Sequence, residues 1–77
     1  MSSQEQSKMS EKLHGTVKWF NSSEGFGFIT PDNGARDVYV TTAHIETPDQ
    51  TLSDGQRVSF EISIGRKGPE AIKVQAL

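Results

Sequence analysis

The chain has 77 residues, enough for one small domain, and its 8 Lys and Arg against 10 Asp and Glu give a net charge of −2. This balance excludes a general electrostatic attraction to nucleic acid, and the lack of cysteine excludes disulfides and thiolate zinc sites. No apolar run approaches the roughly 20 residues of a membrane span, and the polar amino-terminal sequence lacks the apolar segment of a signal peptide. We therefore expect a cytoplasmic protein with no membrane partner.

The chain begins with a polar segment and continues into three predicted strands. Residues 1–12 show no apolar periodicity and are predicted to form a disordered tail, followed by one domain over residues 13–77. Alternating and β-branched residues predict strands over residues 13–21, 26–30 and 38–42. The segment PDNGARD between the second and third strands is rich in turn formers, so these two strands are expected to pair in antiparallel fashion.

The remaining residues are predicted to form a long loop and two more strands. Residues 43–55 contain several turn formers and predict a loop with room for one helical turn. Residues 57–64 and 70–77 alternate in polarity on either side of the turn sequence GRKGP. The apolar residues that share a face are Val58, Phe60, Ile62 and Ile64 in the fourth strand, and Ile72 and Val74 in the fifth. Five short strands without a helical apolar period predict an all-β fold, either a sandwich or a small barrel.

Two phenylalanines in the predicted second strand point to the same side of the sheet. In the sequence EGFGFIT, Phe26 and Phe28 are two residues apart, and strand residues at this spacing share a face. Gly25 and Gly27 beside them weaken a strand and leave the rings unshielded. The rings therefore either fill a core or stay bare for a flat molecule to stack on.

The third strand indicates which side of the sheet is the core. Val38 and Val40 share one face, and Ile29 in the second strand has the parity opposite to that of the two phenylalanines. If these three aliphatic residues are buried, Tyr39 lies on the outer face beside the phenylalanine rings. The alternative buries the rings and exposes two valines and an isoleucine, so we favour the outward orientation of the rings.

The first strand contains two adjacent rings, Trp19 and Phe20, and strict alternation buries one and exposes the other. Trp19 has the same parity as Val17. If Val17 is buried while Trp19 is exposed, the strand needs a local irregularity such as a β-bulge. Alternation alone leaves both orientations of Trp19 open.

The sequence GTVKWFNSSEGFGFITPDNGARDVYV, residues 15–40, resembles that of a bacterial cold-shock protein. The similarity extends more loosely through SDGQRVSFEI and KGPEAIKV, so it covers about residues 13–77. The resemblance implies a five-stranded antiparallel barrel of the OB type. It also implies binding of single-stranded RNA and DNA through an aromatic surface, with Trp19 on the binding face.

The resemblance further implies a set of binding residues. The positions that line the family's binding face correspond to Lys18, Trp19, Phe26, Phe28, Tyr39 and Lys67, with Asn21 and Asp37 at its edge. The rings would stack on bases, and the lysines would hold phosphates without reading sequence. We expect such a protein to prefer unpaired strands, to melt weak RNA structure as an RNA chaperone does, and to need no cofactor and no small-molecule substrate.

The sequence departs from the family pattern in ways that predict weaker binding. Thr41 and Thr42 stand where the family usually has a stacking His and Phe, and Glu24 stands where it usually has Lys. The loop segment ETPDQTL, residues 46–52, lacks the aromatic residue that the family usually carries there. Stacking is worth about 1–3 kcal/mol per base, so fewer bases should be engaged. Because His44 lies three residues beyond the position of the family's His, we do not assign it a stacking role.

An enzyme and a protein-binding module are the competing classes of function. The chain has two histidines, His14 and His44, with no cysteine and no paired carboxylate motif beside either, so we expect neither an enzyme nor a metal site. The main alternative is a diverged cold-shock barrel whose exposed rings bind a protein partner. The sequence leaves both monomer and dimer open, and a monomer is our working expectation.

Overall fold

The computed structural model describes residues 12–65 and 68–77, and these form a closed barrel of five strands. The strands are β1 (Leu13–Asn21), β2 (Phe26–Pro31), β3 (Val38–Thr41), β4 (Arg57–Gly65) and β5 (Gly68–Ala76), and one 3₁₀ turn (Thr42–His44) follows β3. The third strand is therefore one residue shorter than predicted, because the chain enters the 3₁₀ turn at Thr42. In the part of the chain that is described, no helix is long and apolar enough to cross a membrane.

The strands close in the order β1-β2-β3-β5-β4. All neighbouring pairs are antiparallel except β3 and β5, which pair in parallel with Tyr39 opposite Glu70. The predicted all-β fold of five strands is confirmed, with this one parallel pair in an otherwise antiparallel sheet. Closure gives every strand a neighbour on both sides over part of its length, which limits edge-to-edge association of a small β-protein.

The core lies inside the barrel and consists of aliphatic side chains with a single aromatic ring. Its buried residues are Val17, Ile29, Val38, Val40, Ile45, Leu52, Val58, Phe60, Ala71 and Val74. Since Ile29, Val38 and Val40 are all buried, the outward orientation predicted for the rings of β2 and β3 is confirmed. The alternative, in which those rings fill the core, is wrong.

The apolar face predicted for the fourth strand is buried only in the first half of β4. Val58 and Phe60 are fully buried, but Ile62 is half-buried and Ile64 is 74% exposed. The reason is the pairing of β4, because β1 covers this strand only from Arg57 to Phe60. Beyond Phe60 the strand pairs with β5 alone, so its outer half projects from the barrel as a hairpin.

The face predicted for the fifth strand is wrong. Val74 is buried as expected, but its buried companion is Ala71, three residues away, and Ile72 is only half-buried. Lys73 has a φ of 53°, and the register with β4 shifts at this point, so a bulge adds one residue to β5. The extra residue breaks the two-residue alternation and brings Ala71 to the core side.

Candidate nucleic-acid interface

A bulge in β1 turns Trp19 to the outer face. Val17 is opposite Ile29 and Trp19 is opposite Phe28, so Lys18 is an extra residue without a partner in β2. Val17 is 1% exposed and Trp19 is 37% exposed, although alternation alone would place both on the same side. The irregularity that an exposed Trp19 requires is therefore present.

Gly27 allows β1 and β2 to approach each other at this bulge. The residue is buried on the core side of β2, and a Cβ there would collide with the carbonyl oxygen of Trp19. It would also lie 2.7 Å from Cα and 2.8 Å from Cδ1 of Phe20, whose ring packs against the core. This corrects the prediction that Gly27 leaves the neighbouring rings unshielded, because its missing side chain makes room on the opposite side of the strand.

Four rings form a continuous surface across β1, β2 and β3, here called the aromatic face: Trp19, Phe26, Phe28 and Tyr39. Centroid distances from Trp19 are 5.6 Å to Phe26 and 5.4 Å to Phe28. Those from Tyr39 are 5.9 Å to Phe26 and 5.8 Å to Phe28. Three of the four pairs are edge-to-face, the geometry in which aromatic pairs attract. Each ring is thus held by two neighbours while part of its surface stays in solvent.

Lys18 lies at the edge of the aromatic face in an ion pair with Asp37. Its Nζ donates to Oδ2 of Asp37 at 3.0 Å, and Thr30 Oγ1 donates to the other carboxylate oxygen at 2.9 Å. The hydrogen bond from Lys18 and, second, that from Thr30 hold the pKa of Asp37 below its ordinary value of 3.8. Asp37 therefore fixes the direction of Lys18 and offsets part of the positive charge that a phosphate would meet.

Asn21 has a structural role in the turn that follows β1. Its side-chain Oδ1 accepts a hydrogen bond from the Glu24 backbone N–H at 3.0 Å, and its carbonyl accepts one from Gly25 N–H at 2.7 Å. Gly25 has a φ of 83°, a conformation that glycine adopts without strain. Asn21 is opposite Phe26 in the β1–β2 register, so it lies at the end of the aromatic face. Because its side-chain oxygen already accepts a hydrogen bond, its amide N–H groups are the donors that a ligand could use.

Two threonines, which the resemblance aligns with the family's usual stacking residues, lie beside the rings. Thr41 is directly opposite Phe26 in the β2–β3 register, and Thr42 begins the 3₁₀ turn. Both side chains are half-buried. Lys67, the remaining predicted binding residue, lies outside the described residues.

A groove of about 520 Å³ adjoins the aromatic face where β3 meets the β4–β5 hairpin. Its lining consists of Phe28, Tyr39, Thr41, Gly65, Gly68, Pro69 and Glu70. Pro69 and Glu70 were not among the predicted binding residues, and they belong to a segment far from Tyr39 along the chain. Their place depends on the parallel pairing of β3 with β5, for which neither strand carries a local sequence signal.

The described part of the chain contains no group of three or more acidic or histidine side chains that could hold a metal ion. The geometry instead combines an outward aromatic surface with a flanking lysine and a groove. Such a surface offers stacking to a flat molecule and few charges to a phosphate backbone.

Comparison with known proteins agrees with this geometry. The model of the family described as the 'Cold-shock' DNA-binding domain matches residues 13–77. Cold shock-like protein CspE of Escherichia coli (strain K12) is 57% identical over 67 residues, which cover 86% of this chain and 97% of that protein. Cold shock-like protein CspA of Vibrio cholerae serotype O1 is 53% identical over 70 residues, or 90% of this chain and 100% of that protein.

A solved structure has the same fold. The structure of drosophila Unr CSD456 aligns with a TM-score of 0.75 at 17% identity, covering 100% of this chain and 31% of that chain. The family match spans most of the chain and supports nucleic-acid binding in general. On the family model and the sequence identities together, the chain belongs to the cold-shock domain family.

Proposed function

We propose that the chain binds single-stranded RNA and DNA by stacking bases on the aromatic face, as an RNA-chaperone-like protein. The observation that carries the proposal is the position of the four rings, which lie outside a core that is complete without them. Every nucleobase has a π-face, so an exposed row of rings binds many sequences.

The preference for unpaired strands follows from the same surface. Bases in a duplex are stacked on each other and present only their edges, whereas bases in single strands are free to lie on aromatic rings. By binding the unpaired form, the protein would shift weak RNA secondary structure towards the open state. This action needs no catalytic step, cofactor or small-molecule substrate, and we propose a cytoplasmic monomer.

We propose that electrostatic contacts contribute less than stacking to the affinity for single strands. The net charge is −2, and Lys18 at the edge of the face is already paired with Asp37. Lys67 is proposed as a second phosphate contact on the basis of the sequence resemblance. With about two or three such contacts, the slope of log K against log salt for single strands is expected to be about −1.4 to −2.1.

We also propose that binding is weaker than the family pattern would give. Thr41 is opposite Phe26, where a ring would extend the stacking surface, but a threonine side chain offers no π-face. Glu24 is exposed in the turn next to Phe26 and would repel a nearby phosphate by about 1 kcal/mol or less in solvent. The loss of stacking groups, at about 1–3 kcal/mol per base, outweighs this repulsion.

The fluorescence of Trp19 tests the proposed function, since it is the only tryptophan and lies on the aromatic face. Oligo-dT is expected to quench it in a saturable manner, and a duplex of equal length at equal phosphate concentration is expected to bind much less. The proposal fails if neither single-stranded DNA nor single-stranded RNA binds, or if the duplex binds as tightly as the single strand. Binding of a protein to the same face would then be the function to examine.

A further inference from the structure

Glu70 brings a carboxylate to the groove beside the aromatic face. It is opposite Tyr39 in the parallel β3–β5 pair, and its side chain is 28% exposed. Among the lining residues that the structure describes, it is the one charged side chain, and the others are two rings, a threonine, a proline and two glycines. A carboxylate in this position suits the donor edge of a base, because it accepts hydrogen bonds.

His44 lies beside the carboxylate on one side. His44, at the end of the 3₁₀ turn, brings Nε2 to 3.5 Å from Oε2 of Glu70. The other oxygen, Oε1, is near Gly65, where even an added Cβ would stay 3.8 Å away. The contact with His44 therefore leaves Oε1 beside Gly65, a residue without a side chain.

We propose that Glu70 is a specificity-determining residue that favours a base with an exocyclic amino group in this groove, and thus cytosine over uracil or thymine. The inference rests on the proposed function, because it requires a base to stack beside Phe28 and Tyr39. The groove volume of about 520 Å³ lies within the range of about 300–1,000 Å³ usual for small-molecule sites.

The discrimination comes from the hydrogen-bonding character of the two pyrimidines. An ionised carboxylate only accepts hydrogen bonds. Cytosine carries a donor amino group, N4, where uracil and thymine carry the acceptor oxygen O4. In the groove the amino group would donate to Glu70, whereas O4 would face the carboxylate with two acceptors in contact. Stacking differs much less between these bases, so Glu70 acts on the choice of base.

The test measures the affinity for oligo-dC and oligo-dT of about six nucleotides, a length within the site sizes of OB folds, at neutral pH and fixed salt. The quantity of interest is the ratio of the two dissociation constants, dT over dC. In Glu70→Gln this ratio is expected to fall by about 5- to 10-fold, because a neutral amide can both donate and accept. Absolute affinities are not the readout, since removing a negative charge strengthens binding to every strand.

Glu24→Gln is the matched control, because it removes the same charge from an exposed turn beside Phe26, outside the groove. Its ratio is expected to equal that of the unmodified protein. A further measurement uses the unmodified protein with strands in which pyrimidin-2-one replaces cytosine, which removes the amino group without adding an acceptor. These strands are expected to bind more weakly than oligo-dC, and this result does not depend on whether a variant folds.

The outcomes separate this inference from the proposed function. If the unmodified protein binds no single strand, the proposed function fails and the inference fails with it. If single strands bind but Glu70→Gln leaves the ratio unchanged, or shifts it no more than Glu24→Gln does, the inference alone is wrong. It is equally overturned if pyrimidin-2-one strands bind the unmodified protein as tightly as oligo-dC.

Discussion

The aromatic face has two unlike halves. On β1 and β2, Phe26 and Phe28 both pack on Trp19, with their centroids 5.6 and 5.4 Å from that of the tryptophan ring. On β3, Tyr39 is the only ring, and Thr41 stands beside it on the same face, opposite Phe26. The first half is a surface for stacking, and the second is a groove that ends at a carboxylate. Under the proposed function, we expect affinity to be concentrated on β1 and β2, and base preference on β3 and β5.

The largest effect on stability is expected from Gly27→Ala. This change disturbs the close backbone contact between β1 and β2 that supports the stacking half. The added Cβ collides with the Trp19 carbonyl and the Phe20 backbone, neither of which can rotate away. We expect a loss of about 3 kcal/mol in the free energy of unfolding, measured by urea denaturation. Gly55→Ala is the control, because it has a φ of 82° and open space around it, and it should cost only about 1–2 kcal/mol. Equal losses in the two variants would contradict the close approach of β1 to Gly27.

The double change Thr41→His with Thr42→Phe is expected to give the groove half additional rings on which a base can stack. If one further base stacks, binding of oligo-dT should strengthen by about 1–3 kcal/mol, as measured by fluorescence titration of soluble, folded protein. Asn33→Phe adds a ring to the turn between β2 and β3 and serves as the control for nonspecific binding to an exposed ring. A double variant that folds but binds no better than Asn33→Phe would show that this end of the face takes no base.

A smaller gain in affinity for single strands is expected from Glu24→Lys, at the edge of the stacking half. The change replaces a repulsive charge with an attractive one at a solvated position, so it should strengthen binding by about 1 kcal/mol or less at low salt. Titrations across a salt series should show this gain fading, whereas the gain from the added aromatic pair should persist. A Glu24→Lys gain that is independent of salt would mean that the residue acts by something other than its charge.

The smallest expected effect is the acid sensitivity of the Lys18–Asp37 pair. Because the folded-state pKa of Asp37 lies below its ordinary value of 3.8, the ionised carboxylate stabilises the fold above that pH. The contribution is lost as the pH falls through the lowered pKa. The difference in thermal stability between the unmodified protein and Asp37→Asn should therefore be constant near neutral pH and shrink below about pH 4. A difference that stays constant into strong acid would contradict the pairing.

Much of the stacking half could be predicted from sequence, because it depends on local alternation. The parity of Ile29, Val38 and Val40 correctly placed Phe26 and Phe28 outside, and an exposed Trp19 was recognised to require a bulge. The groove half could not be predicted in the same way. Its carboxylate reaches Tyr39 through a parallel pairing of distant segments, and no turn chemistry or periodicity encodes that contact.

Bulges set the other limit on prediction. The pattern of the fifth strand placed Ile72 with Val74, but the positive φ of Lys73 moves Ala71 to the core instead. Lysine is not a residue that usually marks such a backbone conformation, so no sequence pattern predicts the shift. Gly27 was recognised as unusual for a strand, but its role depends on the Trp19 and Phe20 backbone in the neighbouring strand.

The most direct test of the central claim is a paired measurement of stability and oligo-dT affinity for Phe28→Ala and Val40→Ala. Phe28 contacts two rings of the aromatic face, and Val40 is fully buried on the opposite side of the sheet. Phe28→Ala is predicted to stay folded and to lose about 1–3 kcal/mol of binding, while Val40→Ala is predicted to lose about 2 kcal/mol of stability. A folded Phe28→Ala that binds oligo-dT with unchanged affinity would contradict the claim that this face stacks bases.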